Sequence, residues 1–174
     1  MERNDLSDFF VKEKQHININ VNTGITSSHR EKISKNLSVI LADSSMLFLK
    51  TLNYYWNIRG TLFRDFRLIT FDISRELLAA LDEIAERIRS LGFLAPGSLH
   101  EITQLSTIDD GTKEFSEQEM IADLIKSSES IARYTRKTIE IASNFKDEAS
   151  VEMLTSRLKT HERNAWILRS LLER

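Results

Sequence analysis

The chain has no cysteine, one proline and only five glycines in 174 residues. Without cysteine there is no disulfide, no thiolate metal site and no cysteine nucleophile. So few chain breakers leave room for long, uninterrupted helices. An excess of one charge is missing too: 24 basic residues stand against 26 acidic ones, for a formal net charge of −2. The chain as a whole therefore carries no basic excess of the kind that attracts nucleic acid. No segment approaches the roughly 20 apolar residues of a membrane helix, and the N-terminus has no apolar run of signal-peptide length. The expectation is a cytoplasmic protein without a membrane partner. Phosphate loops, nucleophile elbows and zinc helix motifs are also absent.

What is there is helical periodicity. Hydrophobic residues at 41% are enough for the core of one domain of this length. Residues 1–27 lack a helical period and read as an extended tail, β-branched and asparagine-rich over residues 16–24. Residues 28–174 read as one bundle. The first helix is expected from Ser28, which stands at capping-box spacing from Glu31, to Asn57, with Ile33, Leu37, Ile40, Leu41, Phe48 and Leu52 at three- and four-residue steps. The second spans about residues 62–91, with Ile69, Ile73, Leu77, Ala80, Ile84, Ile88 and Leu91 as its core stripe; Gly92 stops it. Ser98 and Glu101 form a second capping-box pair at the head of a short helix. Ser116 and Glu119 form a third, opening a helix to about Asn144. Asp147 can cap the last helix, which runs to Leu172. Two long helices, a long connection carrying a short one, then two more long helices predict an all-α, ferritin-like four-helix bundle.

One face of the second helix breaks the pattern. Opposite its core stripe run Arg67, Phe71, Arg75, Leu78, Asp82, Ala85, Glu86 and Arg89. A bundle helix of an isolated subunit should be polar there, so Phe71 and Leu78 point to burial against a second subunit. Asp82 and Glu86 are at i and i+4, where like charges oppose each other by a few tenths of a kcal/mol. Two readings of the pair stand: a salt-bridge network with nearby arginines, or part of a carboxylate metal site. Hard metal ions need more oxygen or imidazole ligands than two.

Three stretches carry a family resemblance: LADSSMLFLKTLNYYWNIRG (residues 41–60), LDEIAERIRSLGFLAPGS (81–98) and HERNAWILRS (161–170). Together they resemble the Dps family, the small ferritin-like proteins of starved bacterial cells. The resemblance implies a homo-oligomeric, hollow dodecamer that stores ferric iron and protects against peroxide. It also implies oxidation of ferrous iron at a site shared across a two-fold axis. Asp82 and Glu86 match the family's carboxylate pair, and Trp56 matches its site-flanking tryptophan. Tyr55 and Arg67 stand where the family has histidines, and Phe71 where it has a carboxylate. A guanidinium offers no lone pair to a metal. Iron binding at the usual position is therefore expected to be weak, and Arg67 is expected to pair with Asp82 or Glu86 of the second subunit instead.

Asp147, Glu148 and Glu152 crowd the start of the last helix. Acids suit a helix N-terminus on electrostatic grounds alone; the resemblance implies in addition that they line a three-fold cation channel. None of His16, His29, His100 and His161 is paired at metal spacing; His161 reads as a packing or capping residue, and Trp56 and Trp166 as core or interface aromatics. In the tail four acids outnumber three bases, and no basic extension follows the last helix, so strong DNA binding is not expected. Two functions follow. One is an iron-storing, protective shell whose ferroxidase activity is reduced or absent, alone or mixed with an active paralogue. The other is a Dps-shaped structural or interaction protein that no longer binds or oxidises iron.

Overall fold

The computed structural model describes residues 21–111 and 114–173. The N-terminal tail to residue 20, with His16, lies outside the described residues. Among the described residues five helices follow in order: α1 (Ser27–Asn57), α2 (Phe63–Ser90), α3 (Leu99–Leu105), α4 (Glu117–Asn144) and α5 (Glu148–Leu172). α1 packs along α2, α4 packs along α5, and the two hairpins meet where α1 touches α4 and α2 touches α5. α3 rides on α1 within the long crossover. The bundle expected from periodicity is the one observed.

The core has two layers along the bundle axis. Leu47, Tyr54, Phe66, Ile73, Leu77, Ile121, Leu124 and Leu168 fill one; Ile33, Leu37, Ile40, Ala80, Ile84, Ile88 and Leu154 fill the other. α1 is the most enclosed element, buried without interruption from Leu37 to Leu47. That burial includes Asp43. Its carboxylate accepts hydrogen bonds from Thr107 N (2.5 Å), Thr107 Oγ1 (2.8 Å) and Ser106 Oγ (3.0 Å). Burial pushes its pKa up, against the downward pull of those bonds. A buried carboxylate needs such partners, and here they anchor the crossover to α1. Lys50, also buried, reaches Asp123 (2.9 Å) and Ser127 Oγ (3.0 Å), and Tyr54 donates its hydroxyl proton to Asp123 (2.7 Å). Neither anchor was foreseen from the sequence.

Helix ends follow their residues with one exception. The capping boxes at Ser98/Glu101 and Ser116/Glu119 both form, and Asp147 caps α5. The Ser28/Glu31 box does not. Thr26, in extended conformation, accepts from His29 N and caps α1, so Ser28 lies inside the first turn. Glu31 pairs with Lys35 one turn on (2.9 Å). Between α1 and α2, Gly60 sits at φ 125°, and a Cβ there would stand 2.8 Å from Glu117 Oε1. Only glycine combines that conformation with that close approach. The same carboxylate oxygen accepts from Leu62 N (2.6 Å) and ties the head of α2 to α4.

Candidate functional site on the outer face of α2

Near the end of α1, Tyr55 meets the start of α2, while Trp56 beside it is exposed. The 28 residues of α2 turn one stripe into the core and leave the opposite one bare. On the bare stripe Phe71 is 48% exposed and Leu78 58%. Asp82, Glu86 and Arg89 are exposed with them. The core stripe is as expected except at its start, where Ile69 is only partly buried.

The structure brings three of the predicted site residues together. The Arg67 guanidinium carbon lies 4.1 Å from the centroid of the Tyr55 ring and 5.3 Å from that of Phe63. The Tyr55 and Phe71 rings are 6.3 Å apart and tilted by 37°. One turn along, Arg75 stands 5.9 Å over Phe71. Each such cation–ring contact contributes about 0.5–1 kcal/mol at exposed sites and more when dry. Arg67 is thus held in place by aromatic faces. The cluster encloses a groove of about 330 Å³ lined by Tyr55, Phe63, Arg64, Arg67, Leu68 and Phe71. Phe63, Arg64 and Leu68 were missed in the sequence, although Phe63 and Arg64 precede Arg67 by about one helical turn.

Asp82 and Glu86 are not part of that cluster within one subunit. They lie farther along α2, where Asp82 lines a second groove, of about 690 Å³, with Arg75, Leu78, Pro96 and Ile102. Asp72, next to Phe71 in sequence, lines a different groove with Glu76 and Arg163. Among the described residues no three His, Cys, Asp or Glu side chains stand close enough to hold a metal ion. The Tyr55–Arg67–Phe71 cluster offers one phenol and a cation, a donor set that does not suit iron.

The other predicted residues separate. Asp147 is buried and used inside the subunit: it accepts from Arg87 Nη2 (2.5 Å), Ser150 Oγ (2.6 Å) and Ser150 N (3.1 Å). Burial raises its pKa, but the bonds from Arg87 and Ser150 outweigh that and leave it lowered. Glu148 and Glu152 are exposed at the same end of α5. Trp56 and Trp166 are 65% and 63% exposed, so the core reading is wrong for both in a single subunit. His161 is buried, and burial, followed by the nearby Arg157 charge, lowers its pKa to about 4 against a weaker raising effect of Glu76.

A four-helix bundle with one long crossover is the ferritin-like arrangement, and residues 34–174 match the family model of the ferritin-like domain. An uncharacterized low temperature-induced protein of Nostoc sp. is 32% identical over 155 residues, covering 88% of this chain and 87% of the relative. DNA protection during starvation protein 2 of Bacillus anthracis is 28% identical over 142 residues, 82% of this chain and 97% of the relative. The crystal structure of a Dps protein from Vibrio cholerae O1 superposes with a TM-score of 0.83 at 22% identity, covering 88% and 98% of the two chains. That protein is described as a member of a broad superfamily of ferritin-like diiron-carboxylate proteins. Within the ferritin-like class, the chain belongs to the Dps family.

Proposed function

We propose that this chain is a subunit of a Dps-type dodecameric shell in the cytoplasm. The shell stores ferric iron and protects against oxidative stress, and its ferroxidase activity at the usual intersubunit position is reduced or absent. Family membership supports the storage role. The observation that carries the rest is the stacking of the Arg67 guanidinium on Tyr55, 4.1 Å from ring centroid to Cζ, beside Phe71. A fixed positive charge there repels a divalent substrate ion, and neither the guanidinium nor the phenylalanine can ligate it. Asp82 and Glu86 then lack the rest of a ligand set.

Ferrous iron oxidation by the purified protein, with oxygen and then with peroxide, tests this. The reference is a triple variant, Tyr55→His, Arg67→His and Phe71→Asp. Losing even a supporting contact around a metal typically costs 10- to 100-fold in affinity or activity, so wild type should be at least about tenfold slower than the triple variant. Equal rates would overturn the reading.

The exposed Glu148 and Glu152 support a cation path into the shell at the head of α5, without Asp147, whose carboxylate is committed to Arg87. Replacing both by glutamine should slow entry of ferrous iron and core loading severalfold, because acid-lined openings concentrate cations. Unchanged loading would remove the path from the account. The second reading, an assembly protein that handles no iron, is favoured by the unsuitable donor set at the cluster. It predicts no mineral core under either oxidant.

A further inference from the structure

The outer face of α2 reads the same spacing in both directions. Arg67, Phe71, Arg75, Leu78, Asp82 and Glu86 follow at steps of four, four, three, four and four. Among these six the cations lie before the midpoint between Glu76 and Leu77 and the carboxylates after it, and Arg89 follows Glu86 on the same face. A two-fold axis through that midpoint, perpendicular to the helix, would bring two copies of α2 together antiparallel. Arg67 would then stand opposite Glu86 of the partner subunit, with Phe71 opposite Asp82 of the partner subunit and Arg75 opposite Leu78 of the partner subunit. Such isologous contacts pair residue i with j and j with i.

The charges are free for that use. Among the described residues, no ion pair engages Arg67, Arg75, Asp82 or Glu86. Arg67 and Glu86 cannot reach each other within one subunit, since they are about 28 Å apart along the helix at 1.5 Å per residue. The face also exposes Phe63, Leu68, Phe71 and Leu78, and it borders the 690 Å³ groove. Apolar residues rimmed by complementary charges mark a protein interface. Stacking on Tyr55 and Phe63 holds the Arg67 guanidinium before any partner arrives, which lowers the entropy lost on pairing.

We infer that, at the two-fold contact of the proposed shell, Arg67 forms an ion pair with Glu86 of the partner subunit, backed by Asp82 of the partner subunit. The arginine neutralises the two crowded carboxylates from across the axis, and both ion pairs of the two-fold contact form at once. The inference rests on the proposed reading that the shared position does not work as an iron site, and it adds what the position does instead.

Charge reversal tests it. The full chain and its R67E, E86R and R67E/E86R variants are compared by sedimentation over a dilution series, with circular dichroism to monitor folding. Each single reversal should move dissociation of the two-fold pair to at least about tenfold higher concentration, as expected when a close interfacial charge pair turns repulsive. The double variant should return to within about threefold of wild type, because the swapped charges meet again only across the axis. Single variants that associate like wild type, or a double variant as weak as the singles, would overturn the inference. If a reversal fails to fold, R67Q and E86Q replace it: both should weaken association and flatten its salt dependence, and no change would count against the ion pair. Iron oxidation is read separately on wild type. Fast oxidation with successful rescue sinks only the ferroxidase reading; slow oxidation with failed rescue sinks only the ion pair.

Discussion

His161 shows how burial sets a residue's chemistry. It is 4% exposed on α5, near Arg157 and Glu76. Its folded-state pKa of about 4 lies below the ordinary 6.5. The unfolded chain therefore binds a proton that the folded chain refuses, and stability falls as pH drops from about 6.5 towards 4. Between pH 7.5 and 5 the histidine should account for about 2 kcal/mol of that loss. Urea unfolding of wild type and a His161→Gln variant at both pH values, at fixed protein concentration, should show a shallower pH dependence in the variant. Parallel curves would mean that His161 is not the responsible group. Its packing role was legible in the sequence because no ligand partner stood at metal spacing. Its neighbours were not, since Glu76 comes from another helix.

At the scale of elements, the long helices were legible because apolar spacing and capping pairs agree on their ends. The start of α1 was misplaced because Ser28 and Thr26 are both competent caps; only the extended conformation of Thr26 decides between them. The crossover was hardest to foresee. Its order comes from α1, through Asp43 gripping Ser106 and Thr107, and Asn53 donating to the Gly111 carbonyl (3.2 Å). A Cβ on Gly111 would meet Lys50 Cγ at 2.9 Å and the Tyr54 ring at 3.1 Å. Neither can yield easily, since Asp123 holds both. Gly111→Ala should thus lower stability by about 1–3 kcal/mol. Gly97→Ala, with nothing within 4 Å of the added carbon, should stay within about 0.5 kcal/mol of wild type. Equal melting temperatures for the two variants would show that the crossover adapts.

For the whole molecule, the family was legible in three stretches of sequence, and the fold follows from it. The candidate site was half legible. The outward carboxylates and the three substituted positions could be read from helical phase and resemblance. The stacking of Arg67 on Tyr55 could not, because it depends on how closely the end of α1 approaches α2. Nor could the withdrawal of Asp147 from the acidic cluster, which follows from Arg87 reaching over from α2.

The separation of Arg67 from the acid pair along α2 matters most for a pair made of unlike chains. In the proposed two-fold contact there would be two sites, each taking its aromatic or histidine half from one chain and its carboxylate half from the other. Paired with a relative that keeps the full ligand set, this chain would lend Asp82 and Glu86 to the relative's half and complete one iron site. The second site, built around its own Arg67, would stay closed. Such a hybrid contact would work on one side only, with this subunit a donor of ligands without being a user of them.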